Sequence, residues 1–187
     1  MPRLKLNVSR LLLISTSLFS WRKSDTALIE PHPVRGIYSL IIFLSKEIRV
    51  NVGQLGVKNF PRGYYTYTGS ALGTGASSLK QRVSRHLRKT GKKKHWHIDF
   101  LLAHRHAAVT AVVAAEINRE MECELNCYIK RRGGARIRAS GFGSSDCQGN
   151  CQSHLLYFSE NDVEKKIAKF YAEKFGSRLV VLEFRDK

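Results

Sequence analysis

The sequence predicts an α/β (α+β) domain in which a small central antiparallel three-stranded sheet is flanked by helices. Two observations predict this class: segments with strand patterns and short connections come early in the chain, and segments with helical apolar spacing follow them. The chain has 187 residues, a length that suits one domain with its own hydrophobic core.

Three segments carry the strand patterns. Residues 36–44 are apolar at nearly every position, which indicates a strand buried on both faces of a sheet. Residues 48–52 alternate apolar and polar side chains, as a strand with one wet face does, and residues 64–69 are rich in aromatic side chains. Because glycine and proline mark tight turns between these segments, we expect the three strands to form an antiparallel meander.

The first predicted helix covers residues 77–89, with Ser77 or Ser78 as its N-cap. Apolar residues spaced four apart give it a core-facing side, formed by Leu79, Val83 and Leu87. Similar patterns predict helices over residues 95–103, 119–130 and 163–175, and strands over residues 108–115, 154–158 and 179–184.

The predicted domain spans residues 35–160, and residues 161–187 are a helix and strand appended to it. Residues 1–34 are interpreted as an N-terminal extension, or as the product of a start codon assigned too early. They contain a short apolar run behind basic residues, similar to a weak secretory signal, but Trp21, Arg22 and Lys23 follow where a cleavage site would be needed. A cytoplasmic location is therefore expected.

The charge balance indicates an anionic partner. Lysine and arginine number 32 against 15 aspartates and glutamates, a net charge of +17 at pH 7. So large an excess increases self-repulsion in the folded state unless a polyanion offsets it. We expect nucleic acid rather than a membrane surface, while the oligomeric state is left open.

Two tyrosines on strands and two basic residues on the first helix form the candidate reactive group. Tyr38 and Tyr67 lie on the predicted strands, and Arg82 and His86 are four residues apart, so they project from the same side of the helix. Arginine suits phosphate oxygens, and histidine can carry a proton near neutral pH. Alternatively, the helix is a solvated basic surface that follows a nucleic-acid backbone. The candidate nucleic-acid-binding residues are Lys80, Arg85, Arg88, Lys89, Lys92, Lys93, Lys94 and His97.

The ordered set of motifs resembles the GIY-YIG nuclease superfamily. Gly36-Ile37-Tyr38 matches the first motif, Tyr67-Thr68-Gly69 stands in the position of the second, and Arg82 and His86 follow. Residues 63–71, 95–99 and 141–147, with Ser153-His154-Leu155, are similar more narrowly to the Uri-like, DUF123 branch. The resemblance covers about residues 35–160 and implies the GIY-YIG fold.

The resemblance implies a metal-dependent endonuclease that hydrolyses phosphodiester bonds, with one Mg²⁺ or Mn²⁺ held by a glutamate on a later helix. The superfamily pattern places apolar residues three and seven positions after this glutamate. Glu122 is preferred because Leu125 and Ile129 follow it at those positions, and Glu124 is the alternative. Arg82 would stabilise charge in the transition state. Tyr38 or Tyr67 would orient the attacking water, and His86 is an equally reasonable proton carrier.

The sequence departs from the superfamily pattern in two places. Ser70 and Ala71 follow the second motif where many members carry a lysine, and the late asparagine found in many members has no convincing match. Asp146, in the Gly-Phe-Gly-Ser-Ser-Asp loop, is a candidate substitute. These departures concern catalytic efficiency more than the fold.

Two further clusters have structural interpretations. In the run His95-x-His97-x-Asp99 we expect helix capping rather than metal binding. The cysteines and the nearby histidine lack the CxxC spacing of common zinc ribbons, so buried free thiols are expected and structural zinc is not; the residues are Cys123, Cys127, Cys147, Cys151 and His154.

Three functions are thus compatible with the sequence. The preferred one is a DNA endonuclease, acting on structured or damaged DNA. The alternatives are a non-catalytic DNA- or RNA-binding module with the same fold and a zinc-stabilised interaction domain.

Overall fold

Seven strands and four helices make up the part of the chain that the structure, a computed structural model, describes: residues 35–91, 93–147, 149 and 151–176, with the backbone of residues 179–183. The strands are β1 (Gly36–Leu44), β2 (Ile48–Asn51), β3 (Val57–Phe60), β4 (Gly63–Ala71), β5 (Ala107–Glu116), β6 (Leu155–Phe158) and β7 (Leu179–Glu183). The helices are α1 (Leu79–Leu87), α2 (His97–Leu102), α3 (Glu122–Gly133) and α4 (Val163–Phe175).

The main sheet is antiparallel, and its strand order is β6-β4-β1-β5-β7. Strand β1 lies at the centre because its residues are apolar on both faces, and it pairs with β4 on one side and β5 on the other. In this register Tyr38 stands opposite Gly69 of β4 and Ala114 of β5.

The predicted three-stranded meander is wrong in its pairing. Strand β2 does not join the main sheet; it forms a separate two-stranded ladder with β3. It is only four residues long, and the side chains of Arg49 and Asn51 are exposed. The third predicted strand, now β4, pairs directly with β1, while β5, β6 and β7 complete the sheet.

Helices cover both faces of the sheet. On one face α1 and α2 pack with Leu79, Val83 and Ile98 onto a core that includes Tyr38 and Leu40. On the other face α3 and α4 pack onto a second core, to which they contribute Leu125, Ile129, Val163, Ile167, Phe170 and Tyr171.

Local signals explain where the helices begin. The Ser78 side chain accepts a hydrogen bond from the Gln81 amide and caps α1, as predicted. Helix α4 begins and ends at the predicted residues, and Gly176 follows its last turn.

The described residues fall within one compact unit. The expectations about residues 1–34 concern a segment outside the described residues. Within the described part of the chain, no helix has the length and apolar character needed to cross a bilayer.

Candidate active site

Tyr38 and Tyr67 bring their rings to the face of the sheet that α1 covers. Tyr38 is fully buried, and Tyr67 is partly exposed. Gly69, opposite Tyr38 in the register, leaves space for the Tyr38 ring: a Cβ at Gly69 would lie 2.8 Å from Tyr38 Oη and 2.9 Å from its Cζ. Glycine is therefore required at position 69 because the Tyr38 ring lies so close to it.

His86 joins this pair from α1. Its Nε2 atom lies 2.8 Å from Tyr38 Oη in a buried hydrogen bond. The His86 ring also stands edge-on to Tyr67, with 6.2 Å between the ring centroids. The histidine thus contacts both tyrosines, and its strongest contact is with Tyr38.

Arg82, one turn earlier on α1, reaches the end of β4. Its Nη1 donates a hydrogen bond of 2.8 Å to the carbonyl oxygen of Ser70, and its guanidinium lies 5.8 Å from the centre of the exposed Trp96 ring. The positive charge lies near both tyrosines, where it acts to lower their pKa values.

Glu122 reaches the same end of β4 from the opposite face of the sheet. The Ser70 hydroxyl donates to Glu122 Oε1 over 3.0 Å, and the Met121 amide donates to Oε2 over 3.2 Å. Ser70 thereby connects Arg82, through its carbonyl oxygen, with Glu122, through its hydroxyl. All five candidate catalytic residues converge where β4 ends.

Glu124, the alternative glutamate, lies elsewhere. Its side chain is 57% exposed and pairs with Lys174 of α4. A carboxylate two positions away from Glu122 projects from another side of the helix, as helical geometry requires.

Both tyrosines are held in the neutral form. Burial is the main cause that raises the pKa of Tyr38, and the adjacent Tyr67 adds to the effect while Arg82 opposes it. Burial likewise raises the pKa of Tyr67 to about 12, against the opposing influence of Arg82. At neutral pH each hydroxyl can donate and accept hydrogen bonds, but neither is a phenolate.

The donor set at Glu122 fits a hard divalent cation. Each carboxylate oxygen accepts one of the hydrogen bonds described above and retains a lone pair for a further ligand. Mg²⁺ binds through one or two carboxylates and keeps several waters. Asp146 adds negative potential nearby, since its charge acts to raise the pKa of both Tyr67 and His154.

The candidate nucleic-acid-binding residues have different environments. Lys80, Arg88, Lys93 and Lys94 are exposed, while Lys89, also exposed, donates to the carbonyl oxygen of Ala107. Lys94 also lies 5.8 Å from the centre of the Phe100 ring. Lys92 lies outside the described residues.

Arg85 and His97, in contrast, have structural partners. Arg85 forms an ion pair of 2.6 Å with Asp99, whose side chain is fully buried. His97 Nδ1 accepts a hydrogen bond from the Gly143 amide, and burial lowers the pKa of His97, so that an accepting nitrogen is favoured.

The predicted capping role of the His95-x-His97-x-Asp99 run is confirmed. Asp99 Oδ2 accepts hydrogen bonds from the amides of His95 and Trp96, over 3.0 and 2.9 Å. The carboxylate therefore holds the residues that precede α2 and, through Arg85, ties α2 to α1.

The cysteine cluster differs from the expected buried thiols. Cys123, Cys147, Cys151 and the buried His154 form a group whose ligand atoms all lie within 4.8 Å of one another, and the three cysteines are only partly buried. Cys127 is exposed and is not in the group. The cluster adjoins Glu122, which precedes Cys123 in α3, and its donor set is one that can hold a metal ion.

Sequence reasoning missed two residues that shape the site. Ser70 was noted only as a departure from a pattern, yet it connects Arg82 with Glu122; Trp96 was not considered as a partner of Arg82. A separate cavity of about 460 Å³ lies beside Arg35, Glu116 and Phe175, and its described lining residues include none of the five candidate catalytic residues.

Comparison with known proteins identifies the family. No curated protein and no solved structure matches the chain significantly. One family model does match, that of the domain of unknown function DUF123, over residues 37–176, which is more than half of the chain. The chain therefore belongs to the DUF123 family.

Proposed function

We propose that this protein is a metal-dependent endonuclease of the GIY-YIG type that hydrolyses phosphodiester bonds in DNA. The observation that carries the proposal is the convergence of Tyr38, Tyr67, Arg82, His86 and Glu122 at the end of β4. These residues come from two strands and two helices, and they combine a cation, a carboxylate, two neutral hydroxyls and an imidazole. Such a set suits in-line attack of water on a phosphate.

Arg82 has the role of binding the phosphate in this proposal. Its Nη1 bonds the Ser70 carbonyl, and a guanidinium has further N–H groups for a phosphate oxygen. Charge that develops on the phosphate would thus meet a donor that is already oriented. Trp96, close to the guanidinium, limits the directions in which Arg82 can turn.

The tyrosines and His86 have the role of handling the proton. Because Tyr67 is neutral and partly exposed, it can orient a water molecule by hydrogen bonding. His86, whose ring stands edge-on to Tyr67, is the candidate proton carrier, and the 2.8 Å hydrogen bond between its Nε2 and the buried Tyr38 hydroxyl holds its ring in place.

Glu122 has the role of metal ligand, with Ser70 and the Met121 amide fixing its carboxylate. When bound, Mg²⁺ or Mn²⁺ would supply charge neutralisation at the scissile phosphate and the leaving oxygen. A net charge of +17 supports a polyanionic substrate.

The test compares the wild type with Glu122→Gln and its matched control Glu124→Gln on labelled substrates. The substrates are duplex, nicked, branched, abasic and single-stranded DNA, with RNA counterparts, each in Mg²⁺, Mn²⁺ or chelator. We expect metal-dependent cutting of DNA that falls by about 10²-fold or more in Glu122→Gln, as for loss of one electrostatic group. Glu124→Gln should cut at nearly the wild-type rate.

Equal loss in both variants, or cutting by Glu122→Gln at the wild-type rate, would overturn the assignment of Glu122. Binding without cutting under every metal condition would favour a second function, a non-catalytic DNA- or RNA-binding module. The raised pKa values of both tyrosines favour this alternative, because a neutral tyrosine is a poor base.

A further inference from the structure

We propose that Cys123, Cys147, Cys151 and His154 bind one Zn²⁺ ion and form a structural site distinct from the carboxylate site at Glu122. The four ligand atoms lie within 4.8 Å of one another. Three thiolates and one imidazole are a donor set typical of closed structural zinc sites, whereas Mg²⁺ prefers oxygen ligands. The two candidate metal sites therefore differ in chemistry as well as in residues.

The distances suit a tetrahedral ion. Zinc lies about 2.3 Å from sulfur and about 2.0 Å from nitrogen, so ligand atoms at tetrahedral angles are separated by about 3.5 to 3.8 Å. Cys123 Sγ and His154 Nε2 are 3.6 Å apart. Cys123 Sγ and Cys147 Sγ are 2.8 Å apart, so an entering ion would separate these two sulfurs by about 1 Å.

The backbone around the cluster allows the cysteine and histidine side chains to approach one another closely. Three residues separate Cys147 from Cys151, a ligand spacing found in structural zinc sites. Between them, a Cβ at Gly149 would lie 3.0 Å from Cys123 Cβ and 3.1 Å from its Sγ, so a larger residue would crowd the ligands. His154 is anchored through its own backbone, which bonds the Phe142 carbonyl and the Thr68 amide.

The site joins three parts of the fold. Cys123 belongs to the first turn of α3, Cys147 and Cys151 to the loop before β6, and His154 directly precedes β6. The described part of this loop has no strand or helix of its own, so a metal cross-link would fix it against α3 and the sheet. Because Glu122 is adjacent to Cys123, the same cross-link would hold the first turn of α3 in place.

The test measures metal content and does not depend on cleavage. Wild-type protein, Cys147→Ser and Cys127→Ser are purified without chelator under reducing conditions, supplied with Zn²⁺, and analysed for zinc per chain. We expect about one zinc in the wild type and in Cys127→Ser, since the Cys127 thiol lies outside the group, and a loss of bound zinc in Cys147→Ser. Substitution with Co²⁺ should give the visible bands of a tetrahedral thiolate site in the wild type.

A variant that should still bind metal distinguishes the loss of a zinc ligand from misfolding of Cys147→Ser. His154→Cys retains four ligands, so it should still bind one ion and shift the Co²⁺ spectrum toward that of a four-thiolate site. The proposal is overturned if the reconstituted wild type holds no stoichiometric zinc, if Cys127→Ser loses as much as Cys147→Ser, or if His154→Cys leaves the Co²⁺ spectrum unchanged. An inactive protein that binds one zinc would contradict the nuclease proposal and leave this one intact.

Discussion

Tyr38 Oη and His86 Nε2 form a buried hydrogen bond of 2.8 Å that connects the central strand β1 to helix α1. Both side chains are almost inaccessible to solvent, so neither can exchange its partner for water. The contact that positions the proposed proton carrier is therefore also part of the packing between the sheet and α1.

Tyr38→Phe should consequently lower the free energy of unfolding by about 1–3 kcal/mol, because buried His86 loses a hydrogen-bonding partner. Urea unfolding followed by circular dichroism measures the change. Tyr128→Phe is the control: its hydroxyl donates to Glu173 on the surface, and its removal should cost less. An unchanged midpoint for Tyr38→Phe would mean that the hydrogen bond contributes nothing to stability.

Gly69→Ala should destabilise the fold by about 1–3 kcal/mol, since the new Cβ would lie 2.8 Å from Tyr38 Oη. Removal of that hydroxyl relieves part of the crowding. The free energies of unfolding of the wild type, Gly69→Ala, Tyr38→Phe and the double variant form a double-mutant cycle. The double variant should be destabilised by less than the sum of the two single destabilisations. Strict additivity would show that the glycine is not required by Tyr38.

Local patterns predicted most elements, and helix α4 shows why. Its apolar residues, among them Ile167, Phe170 and Tyr171, recur at helical spacing and Gly176 follows, so the pattern marked both ends. Strand pairing was not predictable in the same way. Alternation in residues 48–52 identified a strand but not its partner, although β3 lies only six to twelve positions away. A period-two pattern indicates which face of a strand is buried and does not indicate which strand lies beside it.

In the candidate site, too, local spacing predicted some features, whereas contacts between distant residues were not predictable. Arg82 and His86 share a helix side by spacing alone, whereas the link from Arg82 through Ser70 to Glu122 joins residues up to 52 positions apart. The sequence did not predict the cysteine group as a metal site, because Cys123 and Cys147 are 24 positions apart and no local spacing indicates that they are in contact. Only the packing of α3 against the strands brings these residues together.

Tyr171 provides a test of stability in alkaline solution. Burial raises its pKa well above the usual value, and its hydroxyl donates to Ser39 Oγ. The unfolded chain therefore releases the Tyr171 proton from about pH 10 while the folded chain retains it, and the stability that the hydroxyl confers is complete below pH 10 and falls above it.

Tyr171→Phe should accordingly be less stable than the wild type by about 1 kcal/mol at pH 8. As the pH rises to 10.5 that difference should shrink by about 0.8 kcal/mol, and the slope approaches about 1.4 kcal/mol per pH unit only at higher pH, because the phenylalanine variant lacks the titration. Urea unfolding at pH 8, 10 and 10.5 measures both quantities. A difference that does not change with pH would contradict a raised pKa for Tyr171.

Asp99 provides the corresponding test in acid. Burial alone would raise the pKa of its carboxyl, but hydrogen bonds from the Trp96 and His95 amides and from Arg85 outweigh burial and hold the pKa below its usual range. The stabilisation is therefore present above the unfolded pKa of about 4 and is lost as the pH falls through the lower folded value.

Asp99→Asn should cost about 2 kcal/mol at pH 7, and its stability should converge with that of the wild type as the solution is acidified. Thermal unfolding across pH 2–7 measures the convergence. Asp162→Asn is the matched control, since Asp162 also precedes a helix but its side chain makes no capping hydrogen bond. Parallel behaviour of the two variants would refute the capping role of Asp99.

The ion pair with Asp99 distinguishes Arg85 from the exposed basic residues. Arg85 is bound to Asp99 over 2.6 Å, whereas Arg88 and Lys93 are exposed. A cation that contacts phosphate releases counterions on binding, and its removal lowers the slope of log affinity against log salt by about 1. Arg88→Ala and Lys93→Ala should each lower that slope for duplex DNA. Arg85→Ala should leave the slope nearly unchanged and should instead destabilise the fold. If Arg85→Ala lowered the slope by about 1 without a change in stability, Arg85 would be a DNA contact.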